Sequence, residues 1–116
     1  MSSPPREVIA PSVAVRGGAF VFVSGLTAAD RSTTSSETRQ ILENLKLILE
    51  AAGSSLDRVV KVNVLLHSML EAQNMNEVYA RFFPEPPPAR TVCGARLPDG
   101  VKVMIECTAL APDDHR

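Results

Sequence analysis

A chain of 116 residues can bury one core without disulfide or metal staples, and it has the length of a single domain. Twelve Lys and Arg against thirteen Asp and Glu leave a net charge of −1, without the clustered positive charge that binding a nucleic-acid backbone requires. The longest apolar stretches, such as Ala19–Val23, are far too short for a membrane span, and the opening Met-Ser-Ser-Pro-Pro-Arg-Glu lacks the layout of an export signal. The expectation is therefore a cytoplasmic protein with no nucleic-acid or membrane partner, and with Cys93 and Cys107 as reduced thiols packed as small core residues. No metal or cofactor is expected. Two cysteines without His or Cys at ligand spacing do not make a zinc site, and no Gly-rich phosphate loop occurs.

In chain order, residues 1–7 read as a frayed arm and residues 113–116 as a polar tail, with one domain filling 1–116. Val8–Val15 reads as a weak strand interrupted by Pro11, and Arg16-Gly17-Gly18 as a hairpin turn. A strong strand follows over Ala19–Ser24. After a polar loop, Thr34 and Glu37 have the spacing of a capping box. Ile41, Leu42, Leu45, Ile48, Leu49 and Ala52 then form a helical stripe that Gly53 stops. Arg58–His67 alternates as a strand, with Val60, Val62, Val64 and Leu66 on one face and Lys61, Asn63, Leu65 and His67 on the other.

A second helix spans about Ser68–Phe83 with Met75, Val78, Tyr79 and Phe82 inward, and Ser68 and Glu71 as a second capping pair. The prolines of residues 84–88 end it. Strands over Arg90–Arg96 and Val101–Leu110 close the domain, joined by Leu97-Pro98-Asp99-Gly100. The predicted fold is α+β in the order ββαβαββ, a mostly antiparallel sheet with both helices on one face. Its other face mixes Leu65 and Met104 with Lys61, Asn63 and Glu106. That face is either wet or a subunit interface that holds a polar site.

Several segments resemble one known family: Phe22-Val-Ser-Gly25, Asn44-Leu45 with Ala52-Gly53, Val59-Val60-Lys61, Met75-Asn76-Glu77-Val78-Tyr79, Phe82-Phe83, Pro88-Ala89-Arg90-Thr91 and Leu97-Pro98. In this order and spacing they are similar to the RidA/YjgF family of reactive-intermediate deaminases, over about Val15–Ala111. The resemblance implies a chorismate-mutase-like fold and a homotrimer with clefts between subunits. It also implies hydrolysis of enamines and 2-imino acids to 2-keto acids and ammonia, with a small carboxylate-bearing metabolite as partner. In that scheme Arg90 clamps the substrate carboxylate, while Ser24, Gly25 and Asn76 line the cleft. A residue-by-residue reading alone makes Arg90 a surface or interchain ion-pair arginine, Ser24 a strand end, Gly25 a tight turn and Asn76 a helix-surface amide.

The pattern breaks at several places: the first strand region lacks the family's aromatic, Leu26 follows Ser24-Gly25 where the family has glutamine, the segment between Arg90 and Leu97 is one residue shorter, and the catalytic position itself differs. The family's catalytic glutamate falls six residues after Pro98, where this chain has Met104. Glu106 shares that face but lies about 7 Å further along the strand, too far to stand in as the base. A structural ion pair is its expected role. His67 reads as a solvated strand-end histidine. Two functions follow: a deaminase-like hydrolase with an altered site, or a non-catalytic trimeric binder of small carboxylates.

Overall fold

The computed structural model describes residues 7–10, by backbone alone, and residues 13–111. In chain order the elements are β1 (Glu7–Ala10), β2 (Ala14–Gly17), β3 (Phe20–Leu26), α1 (Thr34–Ala51), β4 (Val59–Leu66), α2 (Ala72–Phe82), β5 (Ala89–Gly94) and β6 (Val103–Leu110). The strands form one six-stranded sheet in the order β1-β2-β3-β6-β4-β5. Neighbours are antiparallel except β4 and β5, which α2 links as a parallel pair.

The α+β class and the mostly antiparallel sheet agree with the expectation, but the order is βββαβαββ. The segment read as one weak strand doubles back on itself, pairing Glu7 with Arg16 and Val8 with Val15. Alternation along eight residues does not distinguish an interrupted strand from a short hairpin. The expected interruption at Pro11 lies outside the described residues, as do residues 1–6 of the arm and the tail at 113–116. Glu7, expected in the arm, opens β1.

α1 packs its stripe on the sheet as its periodicity predicts: Ile41, Leu42, Leu45, Leu49 and Ala52 are buried in one cluster with Val21, Val62, Val64, Val103 and Ile105. Met75 and Tyr79 of α2 join the same cluster, so both helices cover the same face. Gly53 takes the left-handed conformation at φ 81° that lets the chain turn out of α1. Two local expectations fail. The helix cap is Thr33, not Thr34, because Thr33 Oγ1 accepts from the Ser36 amide at 3.0 Å. At the start of β4, a register shift between Val59 and Lys61 turns Val59 inward and leaves Val60 exposed, where strict alternation would bury Val60.

Glu37, freed from the cap, takes a different task. Its carboxylate is fully buried. Oε1 accepts from the Lys102 amide at 2.9 Å and the Val103 amide at 3.3 Å. Oε2 lies 3.5 Å from Lys102 Nζ, which also donates to the Arg31 carbonyl at 2.6 Å. Past the other end of α1, Ser54 Oγ donates to the Leu110 carbonyl at 2.6 Å. The region of α1 thus grips both ends of β6, the strand that sits between β3 and β4.

Replacing Glu37 with Ala strands two backbone donors and is expected to cost about 3 kcal/mol or more. Glu37→Gln keeps an acceptor oxygen and is expected to cost clearly less. Urea unfolding checks this as a larger fall in midpoint for Ala than for Gln at an unchanged m-value.

Candidate functional site

Arg90 is the second residue of β5, separated from the proline run by Ala89 alone. It shares the helix-side face with Val92, which packs against the core, and it lies beside α2. Nη1 donates to Asn76 Oδ1 at 2.7 Å, and the guanidinium carbon stands 4.7 Å from the centre of the Tyr79 ring. Tyr79 is itself buried and packs on Phe83 with ring centres 4.6 Å apart. Burial pushes its hydroxyl up to about 12, against an opposing pull from the Arg90 charge. A phenol that stays neutral keeps its ring face attractive to the cation. Arg90 is therefore oriented on one side by the ring and by one amide, and its exposed side keeps N–H donors for an anion. Asn76, open in the sequence between cleft residue and surface amide, holds the arginine.

The other expected residues lie on the sheet face that the helices leave uncovered. Val23 pairs with Cys107 but Leu26 pairs with Ile105, so β3 carries one extra residue and bulges at Ser24-Gly25. The Ser24 amide and hydroxyl both donate to the Val13 carbonyl, at 2.8 and 3.2 Å. Met104 lies over Gly25 so closely that a Cβ there would stand 2.6 Å from its sulfur and 2.8 Å from its Cγ. Leu65 pairs with Met104 and Cys93 pairs with Leu65, extending an apolar row across β6, β4 and β5.

One step along the strands the row is polar. Asn63 Nδ2 donates to Glu106 Oε2 at 2.8 Å, and Lys61 Nζ donates to Thr91 Oγ1 at 2.7 Å. Phe22, Ser24, Lys61, Asn63, Glu106 and Thr108 surround a cavity of about 410 Å³. The expected ion pair of Glu106 is absent among the described residues, because Lys61 reaches across to β5 instead.

The sites named in advance fall into two clusters that one chain does not join. Arg90 and Asn76 meet on the helix side. Ser24, Gly25 and Met104 meet on the open face, since Met104 alternates with the fully buried Val103 and Ile105. β4 separates the strands that carry them. Cys107 is buried as expected, and burial raises its thiol to about 12, with the Glu106 charge adding to the effect. Cys93, expected in the core, is exposed because its position on edge strand β5 points to the open face. His67 is exposed just past β4, its amide bonded to the Lys102 carbonyl at 2.9 Å. Among the described residues no cluster of His, Cys, Asp and Glu could hold a metal ion, and no helix is long and apolar enough to cross a membrane. Sequence reasoning assigned Tyr79 to the core stripe and missed its role beneath Arg90. That contact depends on how α2 crosses β5, which no local pattern records.

Residues 4–111 match the family described as endoribonuclease L-PSP. A RutC family protein of Pyrococcus horikoshii is 42% identical over 113 residues, covering 90% of both chains. The chloroplastic Reactive Intermediate Deaminase A of Arabidopsis thaliana is 36% identical over 106 residues, covering 84% of this chain and 57% of that protein. The crystal structure of RidA from the Antarctic bacterium Psychrobacter superposes with a TM-score of 0.81 at 34% identity, covering 93% of this chain and 99% of the other.

The contact of Met104 with Gly25 sets a local test. Gly25→Ala is expected to cost about 1–3 kcal/mol because the added methyl displaces a packed thioether. In a Met104→Ala background the same change is expected to cost little. A double-mutant cycle by urea unfolding measures that coupling.

Proposed function

Since this chain belongs to the endoribonuclease L-PSP family, the YjgF/RidA family, we propose that it binds small 2-imino acids and assists their hydrolysis, at sites shared between the subunits of a homotrimer. The observation that carries this reading is Arg90 on its bed of Tyr79 and Asn76. A guanidinium held flat with its outer fork open suits bidentate capture of a carboxylate. The assembly supplies what one chain lacks: the edge that carries Arg90 would meet the Ser24-Gly25 bulge of a neighbouring copy. The uncovered sheet face supports such packing, since Phe20, Phe22 and Leu110 are 40%, 49% and 37% exposed there.

In this reading Arg90 fixes the carboxylate and so places the imine carbon near the bulge. Water adds to that carbon, a proton passes to nitrogen, and collapse of the carbinolamine releases ammonia and leaves the 2-keto acid. The step that lacks a group is the activation of water. Met104 occupies the place where a carboxylate would accept its proton, and a thioether is no base. General-base help is worth about 10²–10⁴-fold, so turnover of simple 2-imino acids is expected to be slow. The same packing of Met104 on Gly25 supports a second reading, a trimeric binder of small carboxylates or keto acids without chemistry. The chain's net charge of −1 argues against RNA as substrate.

Three outcomes are expected. Light scattering coupled to size exclusion at micromolar concentration gives about three times the 12.5 kDa chain mass. Arg90→Ala abolishes pyruvate binding in calorimetry while the trimer persists, and Arg90→Lys restores little of the lost affinity, about 1.5–3 kcal/mol. Met104→Glu raises hydrolysis of freshly generated iminopyruvate well above the wild-type rate, and adding Arg90→Ala cancels the gain. A wild-type rate already equal to that of an efficient deaminase would place the base elsewhere.

A further inference from the structure

Arg90 carries its charge without a counter-ion. Among the described residues it forms no ion pair, although Glu77 follows Asn76 on α2 and Glu85 lies five residues before Arg90. The two groups that hold it are neutral: the Asn76 amide, and the ring of Tyr79, whose buried phenol stays protonated at neutral pH. Because Nη1 can only donate, Asn76 accepts through Oδ1, which leaves its two Nδ2 hydrogens outside that bond. No described residue accepts from them. The pair thus presents donors only, with one net positive charge. Asn76 is exposed, whereas its α2 neighbours Met75, Val78 and Tyr79 are buried, so the core does not depend on the amide.

We infer that Asn76 is a positioning residue that acts through its neutrality: it fixes the Arg90 guanidinium while leaving the whole charge to a bound carboxylate. The inference rests on the reading of Arg90 as the carboxylate clamp and names what sets the strength of that clamp. An aspartate at this position would exchange only NH2 for oxygen and would hold Nη1 by a stronger, charge-assisted bond. It would also engage the guanidinium as a permanent counter-ion and put a like charge beside the incoming carboxylate. An alanine would free Arg90 to move but leave its charge unopposed. The two roles therefore order the variants oppositely. A residue that only holds the arginine is replaced better by aspartate than by alanine. A residue that must stay neutral is replaced better by alanine.

Calorimetry on the assembled protein with pyruvate as probe reads that order. Asn76→Ala is expected to weaken pyruvate by about threefold to tenfold, through loss of one supporting hydrogen bond. Asn76→Asp is expected to weaken it at least about tenfold further, while the assembly mass and urea midpoint stay those of the wild type. Asn76→Gln against Asn76→Glu repeats the comparison with a longer side chain, the Gln variant binding tighter, so the order is read even where one variant fails to fold. Binding by Asn76→Asp that equals or exceeds that of Asn76→Ala, or a Glu variant that binds as well as the Gln variant, would overturn the inference. Failure of the Arg90 reading shows in a different pair: wild type and Arg90→Ala then bind pyruvate alike, and the role of Asn76 falls with it.

Discussion

The carboxylate of Glu37 decides where β6 lies. It is fully buried between α1 and the sheet, and its two amide donors belong to Lys102 and Val103, at the entry to that strand. A buried polar group is costly without its partners, so α1 and β6 cannot shift apart without stranding Glu37 Oε1 and the two amides it accepts from. Ser54 repeats the grip at the far end, on the carbonyl of Leu110. Met104 and Glu106 lie between these two anchors. Their positions on the open face follow from a strand held at both ends, with Val103, Ile105 and Cys107 alternating inward.

A sheet covered on one side has consequences for where chemistry can happen. The helix side supplies the aromatic bed that orients Arg90. The open side supplies the bulge at Ser24-Gly25, the thioether floor of Met104 and the polar row of Lys61, Asn63 and Glu106. Side chains on opposite faces of one sheet do not converge on one small substrate. A site that uses both therefore draws them from two copies, and the apolar groups exposed beside the bulge give a second copy something to pack on. Met104 then changes the character of the site more than its presence. The methionine lies in contact with Gly25 and leaves an apolar floor where a carboxylate of similar length would offer an acceptor.

Much of this fold is legible in the sequence where one side chain period decides the outcome. The stripe of α1 and the alternation of β6 follow directly from burial on one face. What is lost depends on partners far along the chain. Thr33 and Thr34 are both competent caps, and the choice between them is settled by Glu37, whose partners lie 65 and 66 residues away. Val60 is exposed because of a register shift that appears only when β4 meets β6. Cys93 is exposed because β5 lies at an edge of the sheet, and strand order is not written in local periodicity. Arg90 could be named from its setting in Pro-Ala-Arg-Thr, while Tyr79 and Asn76 became its supports only once α2 was placed against β5.

If each carboxylate site combines Arg90 of one copy with the bulge of another, two differently disabled chains complement each other. The direct measurement mixes two disabled chains, Arg90→Ala and Gly25→Leu, unfolded together and reassembled, with pyruvate binding read by calorimetry. Neither chain alone should bind. The mixed assemblies should regain part of the binding capacity, because some sites then pair an intact arginine with an intact bulge. Mixed assemblies that form but bind no pyruvate, or a lone wild-type chain that binds it fully, would contradict a shared site.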